Sequence, residues 1–282
     1  MKTKQLTFGI ITIAFVCAGI FSSCKKKGKD EKDTDTSAAA DQSLASTTVN
    51  DMTNISDEAG RNNSVSSFRT EESTSILGSC ATLTFDTLAA VKTVTVNFGA
   101  TNCVGNDGRN RRGAIILNFT GRYRDSLTVI TVTPQNYFVN DNEVTGYKSI
   151  TNKGHNAAHH LVYDITANIR IVKANNGGTV TWQSTRQREW TAGENTFTWA
   201  DDMYSITGSA SGSTAGGNSF QSVITSPLIR NMTLGCRRYF TAGTLVHTPL
   251  GKAPRTIDYG NGACDDLATV TINGTVYNIT LP

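Results

Sequence analysis

From residue 76 onward the chain alternates apolar and polar positions with a period of two. Val94, Val96 and Phe98 alternate with Thr95 and Asn97, and Ile115, Leu117 and Phe119 with Ile116, Asn118 and Thr120. Tyr137 and Val139 continue the rule, followed by Leu161, Tyr163, Ile165, Ala167, Ile169 and Ile171. The pairs Val180 and Trp182, Tyr204 and Ile206, Leu245 and His247, and Val270 and Ile272 extend it to the C-terminus. Such runs, rich in Thr, Val, Ile and aromatic residues, predict strands with one face turned inward. Turn residues separate them: Asn140-Asp141-Asn142, Asn175-Asn176-Gly177-Gly178, Ala215-Gly216-Gly217-Asn218 and Asn273-Gly274, the last a two-residue hairpin signal. Short loops make neighbouring strands antiparallel. The expected fold is therefore all-β, a twisted sandwich or a long meander.

Residues 41–60 break this rhythm. Leu44, Thr48, Met52, Ile55 and Ala59 recur three and four apart, the spacing of one helical face. Asp41 is placed to cap the start and Gly60 the end. Asn50, Asp51, Asn54, Asp57 and Glu58 fall on the other side, so the pattern predicts a short amphipathic helix packed on the domain by its apolar face, with a partner-binding helix as the alternative. Residues 61–75, rich in Ser, Asn and Glu, read as a loop, and the charged, then small and polar, residues 24–40 as a flexible tether.

The N-terminus carries a different signal. Lys2 and Lys4 precede a roughly 14-residue apolar run, Phe8 to Phe21, shorter than the ~20 residues a membrane-spanning helix needs. Ser22-Ser23-Cys24 then Lys25-Lys26-Lys27 follow it. That order is a secretory leader, and its end resembles the lipobox of bacterial lipoproteins. The resemblance implies cleavage after residue 23 and lipid on Cys24; Phe21 stands where such sites carry an aliphatic residue. Lys29-Asp30-Glu31 looks like a short charged export signal of Bacteroidota surface lipoproteins, and Asp86-Thr87-Leu88 and Asp125-Ser126-Leu127 look like their O-glycosylation acceptors.

Cysteine usage agrees with export. Of six cysteines, Cys17 leaves with the leader and Cys24 carries lipid, so Cys80, Cys103, Cys236 and Cys264 remain. An internal echo suggests their pairing. Val96-Asn97-Phe98-Gly99, three residues, then Cys103 matches Ile257-Asp258-Tyr259-Gly260, three residues, then Cys264. Upstream of each copy, by 23 and 28 residues, another cysteine follows a glycine: Gly78-Ser79-Cys80 and Gly235-Cys236. We therefore expect Cys80–Cys103 and Cys236–Cys264; a zinc site is the rival, but no CxxC pair exists. The net charge of +3, which falls to +1 once Lys2 and Lys4 leave with the leader, comes without a basic cluster, so no nucleic-acid partner is expected.

Several groups have chemical potential, each with a structural rival. Arg109, Arg111 and Arg112 sit in a glycine-bounded polar loop that could clamp a sulfated or carboxylated ligand, or simply connect two strands. Trp182, Arg186, Arg188, Trp190 and Trp199 form an aromatic–basic segment that suits sugar stacking, or a structural cation–π ladder on the outside of the sheet. Asp107, Asp201, Asp202, Asp258, Asp265 and Asp266 lack EF-hand spacing and suit Asx turns as well as calcium. His155, His159 and His160 fall beside Gly154 and Asn156 in a loop, without a metalloprotease spacing, so no metal is assigned. No GxSxG motif is present, and no catalytic residue or cofactor is assigned.

Taken with the Ser22-Ser23-Cys24 site, residues 54–59, residues 97–113 and residues 257–266, this order of features resembles a family of uncharacterised Bacteroidota exported lipoproteins. The resemblance implies an address and no established activity. The expected organisation is a leader (1–23), a lipidated Cys24 with its tether (24–40), a helix and loop (41–75) and a disulfide-clasped all-β domain (76–282). The expected role is a non-catalytic binding or scaffolding module of the outer membrane, on its periplasmic face or the cell surface, held to the membrane by lipid and facing a glycan or envelope protein. The alternative is an envelope hydrolase of polysaccharide or peptidoglycan, for which Glu189, Glu194, Asp201 and Asp202 are the acids to inspect.

Overall fold

The structure is a computed structural model that describes residues 33–64, 75–86, 88, 91–196 and 198–282. The leader, Cys24 and Lys29-Asp30-Glu31 lie outside the described residues. The folded unit starts at Asp33, before the expected helix, because Asp33 and Asp35 are already tied down: Arg255 donates to the Asp33 carboxylate at 2.8 Å, and Lys252 forms an ion pair with Asp35.

Among the described residues thirteen strands follow one α-helix, and each strand pairs antiparallel with the next in sequence, so the expected long meander is what forms. They are β1 (Thr82–Asp86), β2 (Lys92–Val104), β3 (Asn110–Phe119), β4 (Val129–Val139), β5 (Asn142–His155), β6 (Leu161–Val172), β7 (Thr179–Ala192), β8 (Met203–Ser213), β9 (Ser219–Asn231), β10 (Ala242–Pro249), β11 (Arg255–Asn261), β12 (Leu267–Ile272) and β13 (Thr275–Thr280). Alternation is preserved along them. On β7, Val180, Trp182, Ser184, Arg186, Arg188 and Trp190 are buried while Thr181, Gln183, Thr185 and Gln187 are exposed. The apolar positions read from the period of two form the interior in three clusters, the largest spanning β2 to β8.

The internal echo has a local physical cause. The Asn97 side chain accepts the Gly99 amide at 2.9 Å, and Asp258 accepts the Gly260 amide at the same distance. Both glycines take positive φ, +82° and +87°, which only a residue without Cβ adopts cheaply, and the aromatic between them, Phe98 or Tyr259, turns into the core. Both disulfides form as paired by the echo, Cys80–Cys103 and Cys236–Cys264. Closing loops of this length contributes on the order of 3 kcal/mol each through the unfolded state.

The helix α1 (Ser37–Ser64) differs from its expectation in length, caps and environment. Asp41 is not its cap; Asp35 takes the Ser37 amide at 2.9 Å, and Asp41 instead accepts Lys173 and the Ala215 amide at 2.7 Å each. Gly60 does not end it. A Cβ there would lie 2.9 Å from the Tyr123 ring, so this glycine exists to let the ring press on the helix. The larger correction is that the polar side is not in water. Asn50, Asp51, Asn54 and Asp57 are buried together with Met52, Ile55 and Ala59, so between residues 41 and 60 both faces of α1 lie against the curled sheet. Its Ala39 packs with β8–β13 residues, its Ala45 and Val49 with β6–β9, and its Met52, Ile55 and Ala59 with β2–β8.

Candidate functional site

A polar helix can be buried only if its side chains find partners there. The inward face of the sheet supplies them. Asp51 is the centre of one group: it accepts Arg109 at 3.2 Å, Arg111 Nε at 3.1 Å and the Tyr137 hydroxyl at 3.0 Å. Asp107 shares both arginines, with Arg111 at 2.9 Å and Arg109 at 3.3 Å. Burial alone would raise the Asp51 carboxyl; the charges of Arg111 and Arg109 and the hydrogen bonds outweigh it and hold the carboxyl down at about 2. Asp57 forms the second group, accepting Arg188 at 2.7 Å and the Tyr123 hydroxyl, whose own pKa burial pushes up. Around them Gln42 receives Trp182 Nε1 at 3.0 Å, Ser46 receives Arg186 at 3.0 Å, and Asn54 receives Arg230 at 3.3 Å. Lys148 donates to Thr53 Oγ1 and to the Val49 carbonyl, and burial holds its ammonium well below the usual lysine range.

This network reassigns both groups offered above as ligand sites. Arg109 and Arg111 are buried, and the carboxylates they clamp are the chain's own Asp51 and Asp107. Arg112 stays at the surface, donating to Asn102 at 2.9 Å and pairing with Asp141, its guanidinium 3.9 Å from the Phe138 ring centre. Trp182, Arg186, Arg188, Trp190 and Trp199 do not make an outward binding face. All five are buried: four on the inner side of β7, holding α1 or closing the core around it, and Trp199 in the turn before β8, where Arg237 lies over its ring. The period of two grouped the β7 residues on one side correctly, and that side, which Val180 and Trp182 share, is the inside and not the outside of the sheet.

Most of the remaining acids and histidines serve turns, and Asp202 serves the core. Asp107, Asp258 and Asp265 each accept the amide two residues on, the Asx geometry, and Asp201 accepts the Thr196 hydroxyl. Asp202 is buried and receives Trp190 Nε1 at 3.1 Å and the Tyr204 hydroxyl at 3.0 Å. Glu189 receives Asn156, and Glu194 receives His155 at 2.6 Å and the Leu161 amide at 3.0 Å. His159 lies at positive φ in the same Asn156 turn. Among the described residues no three His, Cys, Asp or Glu side chains converge as metal ligands.

The feature that sequence reading missed is on the outside. Across the middle of β5–β9 the sheet surface dips into an open concavity of about 530 Å³. Its exposed lining is Tyr147, Asn168, Gln183, Thr185, Ser209 and Ser211, joined by Gln221 and Val223 at the rim. No Asp, Glu, Lys, Arg or His lines it. Ser209 and Ser211 of β8 and the half-exposed Tyr147 ring of β5 are part of this lining. The signal was present as the Thr181, Gln183, Thr185, Gln187 and Ser205, Thr207, Ser209, Ser211 series, but each alone reads as an ordinary solvated face. No helix among the described residues is long and apolar enough to cross a membrane. Comparison with family models, with curated proteins and with solved structures finds no match.

Proposed function

We propose that this chain is a lipid-anchored, exported binding module of the cell envelope, and that the β5–β9 concavity is its recognition surface for a neutral glycan. The supporting observation is the lining itself: amides and hydroxyls that donate and accept, one exposed aromatic ring, and no ionisable group besides that phenol. Sugars offer paired hydroxyls and an apolar C–H face, which amide side chains and an aromatic platform complement, whereas a charged ligand would leave its charge unmet in such a lining. The outer face of β7, Thr, Gln, Thr and Gln, suits water and not lipid, which favours a module held beside a membrane over a barrel within one. The hydrolase alternative gains nothing from the acids proposed for it, since Glu189, Glu194, Asp201 and Asp202 are each engaged in local turns or the core.

The test of recognition is binding of the soluble domain to an array of neutral glycans. Tyr147→Ala should weaken binding of the captured glycan by roughly two- to tenfold, on the order of the 0.5–1.5 kcal/mol an aromatic contact contributes, with an unchanged melting temperature because the ring is exposed. No glycan retained by the wild type, or equal retention by the variant, would refute the reading. The anchor is tested separately. Cells fed an alkynyl fatty acid should label the wild type and not Cys24→Ser, which should leave the membrane fraction. A mature protein whose mass includes an unmodified residue 1 would remove the anchor.

A further inference from the structure

The outer concavity continues beyond β9. The register of the sheet sets Tyr147, Asn168, Gln183, Ser211, Gln221 and Thr248 opposite one another in successive strands from β5 to β10. All six are exposed. Paired strands stand about 4.7–4.9 Å apart, so the row is roughly 24 Å long. At β10 it enters a second open hollow of about 540 Å³, which shares Ser211 and Gln221 with the first. The turn between β10 and β11 lines that hollow with Leu250, which is largely exposed, and with Lys252, whose charge is met by Asp35. Elsewhere on the outer face cross-strand neighbours bond each other, as Gln187 does with Asp164 at 3.2 Å and Thr181 with Ser213 at 2.7 Å. Among the described residues no such bond forms within this row, so its amides and hydroxyls stay open to a ligand.

We propose, resting on the glycan reading of the first hollow, that the two hollows form one groove and that its ligand is a linear neutral polysaccharide lying across the strands. Tyr147 is the apolar platform near one end and Leu250 near the other, and between them stand side chains that both donate and accept. A chain of sugar units repeats its hydroxyls along its length, as the row repeats its polar groups from strand to strand. A single sugar would leave most of that row facing water. An extended peptide is the other ligand of this length, but it binds by adding a strand to an open edge, and every strand of the row is paired on both sides. Only side chains can hold a ligand here, and those present carry no unmatched charge for an acidic polymer. Ser211 and Gln221, common to both hollows, would touch the units that pass from one to the other.

The experiment titrates the full mature chain, in a detergent without sugar, with xylan, mannan and β-glucan oligosaccharides, each as disaccharide and hexasaccharide. In the series that binds, the hexasaccharide should bind about tenfold more tightly, because it covers the second hollow as well. Leu250→Ala should weaken the hexasaccharide by roughly three- to tenfold, the effect of uncovering part of a leucine side chain. The same variant should keep the wild-type affinity for the disaccharide, which the Tyr147 platform holds, and the wild-type melting temperature, since Leu250 is exposed. Equal affinity for the two lengths, or a Leu250→Ala variant that binds the hexasaccharide as tightly as the wild type, would overturn the continuous groove while the glycan reading stands. Absence of binding at either length in every series would overturn both.

Discussion

A chain that lacks residues 33–64 should fail to fold, and the same residues added as a separate peptide should restore it. The inner face of the sheet, with Arg109 in the β2–β3 turn beside it, holds Arg111, Lys148, Arg186, Arg188 and Arg230, and all six cations take partners from the helix: Asp51, Thr53 with the Val49 carbonyl, Ser46, Asp57 and Asn54. Without α1 these cations would face one another across a hollow. Each unpaired buried charge costs several kcal/mol, and a domain has only about 5–15 kcal/mol of stability in all. The truncated chain should therefore lose near-ultraviolet circular dichroism and cooperative melting, and the peptide should return both in proportion to its concentration. A truncated domain that melts cooperatively at the temperature of the full chain would show that the sheet stands alone and that the helix is an accessory.

The second large effect is expected at Asp51→Asn. The amide keeps the size but removes the charge that Arg109 and Arg111 share, leaving Asp107 as the acid beside two buried guanidiniums. Breaking one side of a buried pair costs about 3–5 kcal/mol, which for a domain of this size is roughly 6–20 °C in melting temperature. The pH profile adds a signature. The folded-state pKa of Asp51, about 2, lies below the unfolded value of 3.8, so its contribution is complete above pH 3.8 and is lost as pH falls through 2. The variant should melt lower at neutral pH and lose less than the wild type on acidification. Double replacement of Asp51 and Arg111 by Leu and Met should recover part of the loss, since the isosteric apolar pair leaves no lone charge. A single variant within one degree of the wild type would place Asp51 outside the fold's support.

Much of this architecture could be read from local spacing. Hairpins depend on residues a few positions apart, so the Asn273-Gly274 turn, with φ of +49° and +77°, follows from its own two residues. The echo at Asn97 and Asp258 was visible because an Asx turn needs an acceptor, an aromatic and a glycine in fixed order, and it led to both disulfides. The apolar positions that the period of two picked out, such as Val94, Val96, Ile115, Leu117, Tyr163 and Trp182, lie in the interior because burial of Val, Ile and aromatic rings is favourable wherever the strand goes.

Charged residues on those same faces followed no such rule. Arg186 and Arg188 share a side with Trp182, yet a cation on a strand points to water unless something inside receives it. What receives Arg188 is Asp57, 131 residues earlier, and what receives Arg111 is Asp51, 60 residues earlier. A similar blindness affected the helix, whose Asp51, Asn54 and Asp57 look like a solvated side when viewed alone. The outer concavity was hidden for a related reason, since its lining is drawn from five strands whose small polar residues meet only when the sheet curls.

By itself, then, the order of residues determined the period-two strands, their antiparallel sequence, the helix in outline and the two clasps, because each depends on short-range geometry or on the one-signed free energy of apolar burial. Only the tertiary structure decided that the polar helix runs through the interior, that the arginines are its counter-charges and that a neutral hollow lies outside. Burial of a charge is unfavourable or tolerable according to a partner that may lie a hundred residues away, and that partner exists only once the sheet has closed around it.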